Sequence, residues 1–223
     1  MGKERINTKL VYMVELAVLL AIELVMAFTP VGYIKTAGLE ITLMPIPVVV
    51  GAIVLGPAAG AFLGFVFGLT SFIQCFGMSA FGAAMLQISL WRTLVTTIPT
   101  RFLMGWLTGL IFKLFRKKNF WAFSLTSLCG ALLNTIFFMG TMMPLFWHTK
   151  YIQGFARMYH ATNVWAFMIA FIGLNGLIEC LTNFFISGAI SAALYKAVNK
   201  NGTRTVIPKK EKNKSKLESS NHE

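Results

Sequence analysis

The chain has 223 residues, of which 56% are hydrophobic and only 13% charged. That is about half the charge share of an ordinary soluble domain, too little to coat a water-facing surface, so the composition points to an integral membrane protein. The net charge of +12 does not indicate nucleic acid, because 15 of the 20 Lys and Arg fall in three patches, Lys3 to Lys9, Lys113 to Lys118 and Lys196 to Lys216. Each patch abuts an apolar run of membrane-crossing length, as the positive-inside bias and anionic headgroups require, whereas a nucleic-acid surface needs aromatic residues among the charges within a folded domain.

The first apolar run, Leu10 to Phe28, is ended by Pro30. It spans a bilayer, no small-x-small cleavage site follows and further spans come later, so it reads as an uncleaved first helix rather than a signal peptide. A polar loop, Val31 to Glu40, leads to a second apolar stretch, Ile41 to Leu55, whose Pro45 and Pro47 suit the opening of a helix. Gly56-Pro57 leaves almost no loop, which predicts a tight hairpin with a third helix over Ala58 to Ile73. Gln74 to Ser89 reads as a loop folded against the membrane. Leu90 to Phe115 is long and Pro99 divides it, which places the fourth span at Ile98 to Phe115 behind an entry segment. Phe120 to Trp147 holds the fifth span, His148 to Asn163 an outer loop, and Val164 to Tyr195 a long sixth span.

The predicted architecture is an all-α, polytopic membrane protein, a bundle of six transmembrane helices. Residues 1–197 form the membrane-embedded domain, and the basic, Ser/Asn/Lys-rich segment 198–223 forms a disordered cytoplasmic tail. An even number of spans puts both termini in the cytoplasm. Three of the four inside segments then carry the basic clusters, and the outer loops hold only Lys35, Lys150 and Arg157.

Gly56, Gly60, Gly64 and Gly68 recur every fourth residue, a step that turns ~40° about a helix axis, and so form one smooth stripe. The stripe suits close packing of another helix, or recognition of a partner. On the first helix Ala17 and Ala21 make a second small pair, and Glu15 and Glu23, ~80° apart, point roughly the other way. A carboxylate avoids hydrocarbon, so Glu23 should face the bundle, in a structural pair or a functional role. Asn175, Glu179 and Asn183 recur at four-residue spacing on the sixth helix, Asn134 lies on the fifth, and Arg92 and Arg101 lie at the start of the fourth. Polar groups in apolar spans are site candidates by default. Arg101, expected near the outer end of its span, suits bidentate binding of a carboxylate, against the alternatives of a snorkelling side chain or an internal pair with Glu179. Trp91, Trp106, Trp147, Trp165, Tyr33, Tyr151 and Tyr159 fall mostly near the proposed boundaries, as aromatic belts do, and a subset from the outer loops has the character of pocket lining.

Cys75, Cys129 and Cys180 form no CxxC, and His148, His160 and His222 lack ligand spacing, so neither a metal nor a cofactor is expected. No phosphate-binding glycine loop, HExxH or GxSxG occurs, which speaks against an ATPase, a zinc protease, a nucleophile-elbow hydrolase or another intramembrane enzyme. An inverted repeat of broken helices, the mark of a self-sufficient carrier, is not evident either. Six spans with polar groups and no energy source suggest a binding subunit that borrows energy, with a self-contained channel or carrier as the competing class.

The run from Ile46-Pro47 through Gly56-Pro57-Ala58-Ala59-Gly60 and Gly64 to Gly68-Leu69-Thr70-Ser71, with the stretch from Pro99-Thr100-Arg101 to Lys113, resembles the substrate-binding S components of energy-coupling factor (ECF) vitamin transporters. The likeness covers nearly everything before the tail. It implies a six-helix fold binding a vitamin near the outer face, with a transmembrane coupling subunit and two cytoplasmic ATPases as partners. The implied mechanism is toppling of the S component in the membrane, which delivers the vitamin inward. Ala17 and Ala21 match the family's Ala-x-x-x-Ala motif that contacts the coupling subunit. The segment around the second and third helices is most similar to pantothenate S components, and Arg101 suits the pantothenate carboxylate; riboflavin subunits share the general pattern. Arg101, Arg92, Asn134, Asn175, Glu179 and Trp165 are the expected substrate-binding residues.

Overall fold

The computed structural model describes residues 8–30, 32–35, 40–115 and 119–200. The basic cluster at 116–118 and residues 201–223 of the predicted tail lie outside the described residues. In chain order the elements are α1 (Thr8–Phe28), β1 (Tyr33–Lys35), β2 (Glu40–Thr42), α2 (Pro45–Val54), α3 (Pro57–Gln74), α4 (Ala80–Ile88), α5 (Leu90–Leu114), α6 (Phe120–Phe146), α7 (Lys150–Met158), α8 (Val164–Thr182), a π-helical turn (Asn183–Ser187) and α9 (Gly188–Lys200). Among the described residues five helical segments are long and apolar enough to cross a membrane, and α2 is a shorter sixth. The sixth span, Gly176–Val198, runs from α8 through the π turn into α9.

At 10 residues α2 rises only ~15 Å, half a bilayer core, and it is enclosed by other helices. Pro45 sits at its first turn, where the missing N–H costs nothing, and Val48, Val49 and Val50 are fully buried among α1, α3, α5, α6 and α9. Gly56 turns the chain at φ 105°, a conformation that favours glycine, and Pro57 opens α3, which gives the predicted hairpin.

Four expectations need correction. Pro99 does not divide α5, which runs unbroken over 25 residues with the ring of Pro99 on its exposed side. Its threonines satisfy their buried hydroxyls on the preceding turn: Thr97 Oγ1 donates to the Thr93 carbonyl (2.9 Å), Thr100 Oγ1 to Thr96 (2.6 Å) and Thr108 Oγ1 to Met104 (2.7 Å). The segment read as a loop at Gln74 to Ser89 contains α4, capped by Ser79 Oγ accepting from Gly82 N (3.2 Å). The loop at His148 to Asn163 contains α7, capped by Thr149 Oγ1 accepting from Ile152 N (3.4 Å). The polar loop before α2 carries a short antiparallel hairpin in which Tyr33 pairs with Thr42, Ile34 with Ile41 and Lys35 with Glu40.

Three apolar clusters stack along the bundle. At the end holding the α2–α3 turn, Phe112, Phe123 and Val54 pack with Tyr12 and Tyr195. In the middle, Met44, Val48, Leu63, Phe67 and Met104 pack with Leu19 and Leu20. At the opposite end, Met142, Phe146, Ile152 and Phe167 pack with Phe81 of α4 and Tyr151 and Phe155 of α7, so the two short helices cap the bundle.

Candidate functional site

The site begins with the seat of α5 on α3. A Cβ on Gly64 would collide with the carbonyl oxygen of Arg101, and one on Gly68 would lie 2.7 Å from the Cα of Ile98. Gly60 and Gly105 face each other backbone to backbone, and a Cβ on Gly109 would lie 2.6 Å from the Cα of Pro57. The glycine stripe is therefore an internal helix seam, and it fixes the depth and rotation of Arg101.

Arg101 is the twelfth residue of α5, at mid-helix rather than near an end, because α5 starts at Leu90. Its side chain is half-buried. The guanidinium lies between two rings, 4.9 Å from the centroid of Phe67 and 5.0 Å from that of Phe138. Cation–π attraction on both faces holds its plane. Nη1 donates to the carbonyls of Thr96 (3.1 Å) and Thr97 (3.2 Å) and to Thr100 Oγ1 (3.3 Å).

On the neighbouring helix α6, Asn134 Nδ2 donates to Oε1 of Glu179 on α8 at 2.9 Å, and both side chains are buried. Arg101 lies within electrostatic reach of the Glu179 carboxyl. A charged side chain at mid-membrane depth costs roughly 2.5–3.5 kcal/mol on insertion scales, a cost that Arg101 and Glu179 would each bear if scattered and that the grouping offsets. The row continues towards α9: Asn183 Nδ2 donates to the Glu179 carbonyl (3.0 Å) and Ser187 Oγ to Asn183 Oδ1 (2.9 Å), with Ser191 also buried. A cation, an amide and a carboxyl converging in an apolar bundle offer an anion partner, a donor and an acceptor to one small polar molecule.

The remaining predicted residues do not converge there. Arg92 is nine residues before Arg101, half a turn out of phase, and its exposed guanidinium donates to the carbonyl of Leu145 (3.0 Å), one of the orphan acceptors at the end of α6. Trp165 is 73% exposed at the start of α8. Asn175 belongs to α8, and its side chain lies outside the described set. Ala17 and Ala21 are exposed on the outward side of α1, and Glu23 is turned inward and fully buried, so the opposed faces of that helix are as expected.

Phe67 and Phe138 went unremarked in the sequence, although the signal is there: Phe138 is one turn beyond Asn134 on α6, and Phe67 stands between Gly64 and Gly68 on α3. At the capped end of the bundle Tyr151, Phe155 and Phe81 form a ring cluster with centroids 5.1 to 6.3 Å apart, and burial pushes the Tyr151 phenol up from its ordinary range.

Comparison with known proteins adds two findings. The family model described as ECF transporter, substrate-specific component, matches residues 11–191. The chain is also similar to the pantothenic acid transporter PanT of Lactococcus lactis subsp. cremoris, 29% identical over 173 residues that cover 71% of this chain and 79% of that protein.

Proposed function

The chain belongs to the family of ECF transporter substrate-specific components, and from that premise we propose that it captures pantothenate and passes it across the membrane with the help of partner subunits. The family is one of transporter components, not of enzymes. The observation that carries the pantothenate reading is Arg101, a ring-clamped guanidinium beside the Asn134–Glu179 pair at mid-bundle. Pantothenate is an anion with one carboxylate, a central amide and two hydroxyls. Its carboxylate suits Arg101, and its amide and hydroxyls suit Asn134 and Glu179. Likeness to a pantothenic acid transporter supports the same assignment. Arg92 and Trp165 point elsewhere and have no part in this arrangement.

The energy comes from partners, a transmembrane coupling subunit and two cytoplasmic ATPases. Ala17 and Ala21, exposed on the smooth side of α1, form the contact with the coupling subunit. Both termini lie in the cytoplasm; Lys9 and Lys113, at the end of the bundle with the α2–α3 turn, mark that side by the positive-inside bias.

The test is binding by the purified chain in detergent, followed by calorimetry and by mass spectrometry of whatever small molecule survives purification. Pantothenate binds wild type, and Arg101→Ala weakens it by roughly tenfold to a hundredfold, the worth of one hydrogen bond to a charged group. Arg101→Lys, which keeps the charge but loses the planar fork, falls between. Recovery of riboflavin instead would move the substrate to the aromatic cluster of Phe81, Tyr151 and Phe155, whose rings suit a flavin.

A further inference from the structure

We infer that Glu23 of α1 is a second pole of the substrate site, the acceptor for the hydroxyl-bearing end of the ligand whose carboxylate Arg101 holds. The inference rests on the pantothenate reading above. Much of α1 looks outward, with Met13, Val14, Val18, Ile22 and Val25 all exposed. Glu23 is 0% exposed, and neither oxygen of its carboxyl has a hydrogen-bond partner among the described residues.

The depth of Glu23 follows from two ties between α1 and α3. Leu19 and Leu63 both crowd Gly51, and Gln74 Nε2 donates to the carbonyl of Ala27. Glu23 lies midway between Leu19 and Ala27, which sets it level with the middle of the stretch of α3 from Leu63 to Gln74, within about two residues of Phe67. Phe67, Ala27 and Leu20 belong to one apolar cluster. Arg101 covers a face of Phe67 from α5. Glu23 and Arg101 therefore reach the same level of the bundle from the two helices that flank α3.

No described residue accounts for this carboxyl. A leucine would fill the space without burying an unmatched polar group. By contrast Glu179, its counterpart on α8, has a matched donor in Asn134. An acid with no donor among the described residues, level with a held cation, suits a ligand that brings an anion at one end and hydroxyl donors at the other.

The experiment compares wild type, Glu23→Leu and Glu23→Gln with two probes, pantothenate and an analogue in which hydrogen replaces the primary hydroxyl. Calorimetry gives each Kd, and a thermal unfolding scan without ligand reports the fold. Glu23→Leu is expected to weaken pantothenate roughly tenfold to a hundredfold and the deoxy analogue less than about threefold. Glu23→Gln, which keeps an acceptor, falls between, and the ligand-free thermal midpoint of Glu23→Leu equals or exceeds that of wild type. An equal loss for both probes, no loss for either, or a lower ligand-free midpoint accompanied by uniform weakening overturns the inference. If wild type binds neither probe, the pantothenate reading itself fails and this assignment falls with it, a result distinct from the others.

Discussion

Asn134 and Glu179 stand 45 residues apart in sequence and share one hydrogen bond in the interior. Removing one partner of a buried pair leaves the other unsatisfied. Asn134→Ala therefore destabilises the ligand-free protein by about 1–3 kcal/mol, read as a lower thermal midpoint in detergent. Asn134→Leu combined with Glu179→Leu, which removes both polar groups, recovers most of that loss and abolishes ligand binding. The inward direction of Glu23 was legible from helix arithmetic, because two alanines and two glutamates on one helix fix opposite faces. The pairing of Asn134 with Glu179 was not, since spacing along one helix carries no information about the rotation of its neighbour. Arg101 was legible as a candidate but misplaced in depth, for a reason that lies in its helix.

The seam of α3 and α5 makes the sharpest test at the level of elements. Gly64→Ala drives a methyl group into the backbone carbonyl of Arg101, which cannot yield as a side-chain end would. It is expected to cost about 1–3 kcal/mol of stability and to shift Arg101, weakening ligand binding as well. The control is Gly140→Ala on α6, where an added methyl meets nothing within 4 Å. There the gain in helix propensity leaves the thermal midpoint unchanged or higher. The stripe at Gly60, Gly64 and Gly68 could be read from its period alone, although the helix it meets could not, and Gly56, the first of the series, serves the turn instead. Pro99 misled because the rule that proline ends a helix belongs to water, where freed carbonyls find solvent; inside a bilayer the continuous helix is the cheaper state. The starts of α4 and α7 were marked by Ser79 and Thr149, caps hidden among weakly polar neighbours.

Across the whole molecule, the crossing pattern was legible because apolar length and basic clusters are long-range features of composition, whereas the enclosure of α2 depends on what surrounds it. The outward side of α1 is the surface left for a partner on the proposal made above. Ala17→Trp should prevent co-purification with a coupling subunit while leaving the Kd for pantothenate within about twofold of wild type, since Ala17 faces away from the bundle. The π turn at Asn183–Ser187 has a consequence for the sixth span. Residues four apart drift ~40° per step on an α-helix, so a row at Glu179, Asn183, Ser187 and Ser191 would wander ~120° and bring its far end out to lipid. The widened turn takes back part of that drift, as a leap day realigns a calendar, and all four side chains stay buried. Deleting one residue there would make the helix more regular and the protein less sound, because everything beyond the cut would keep the wrong date.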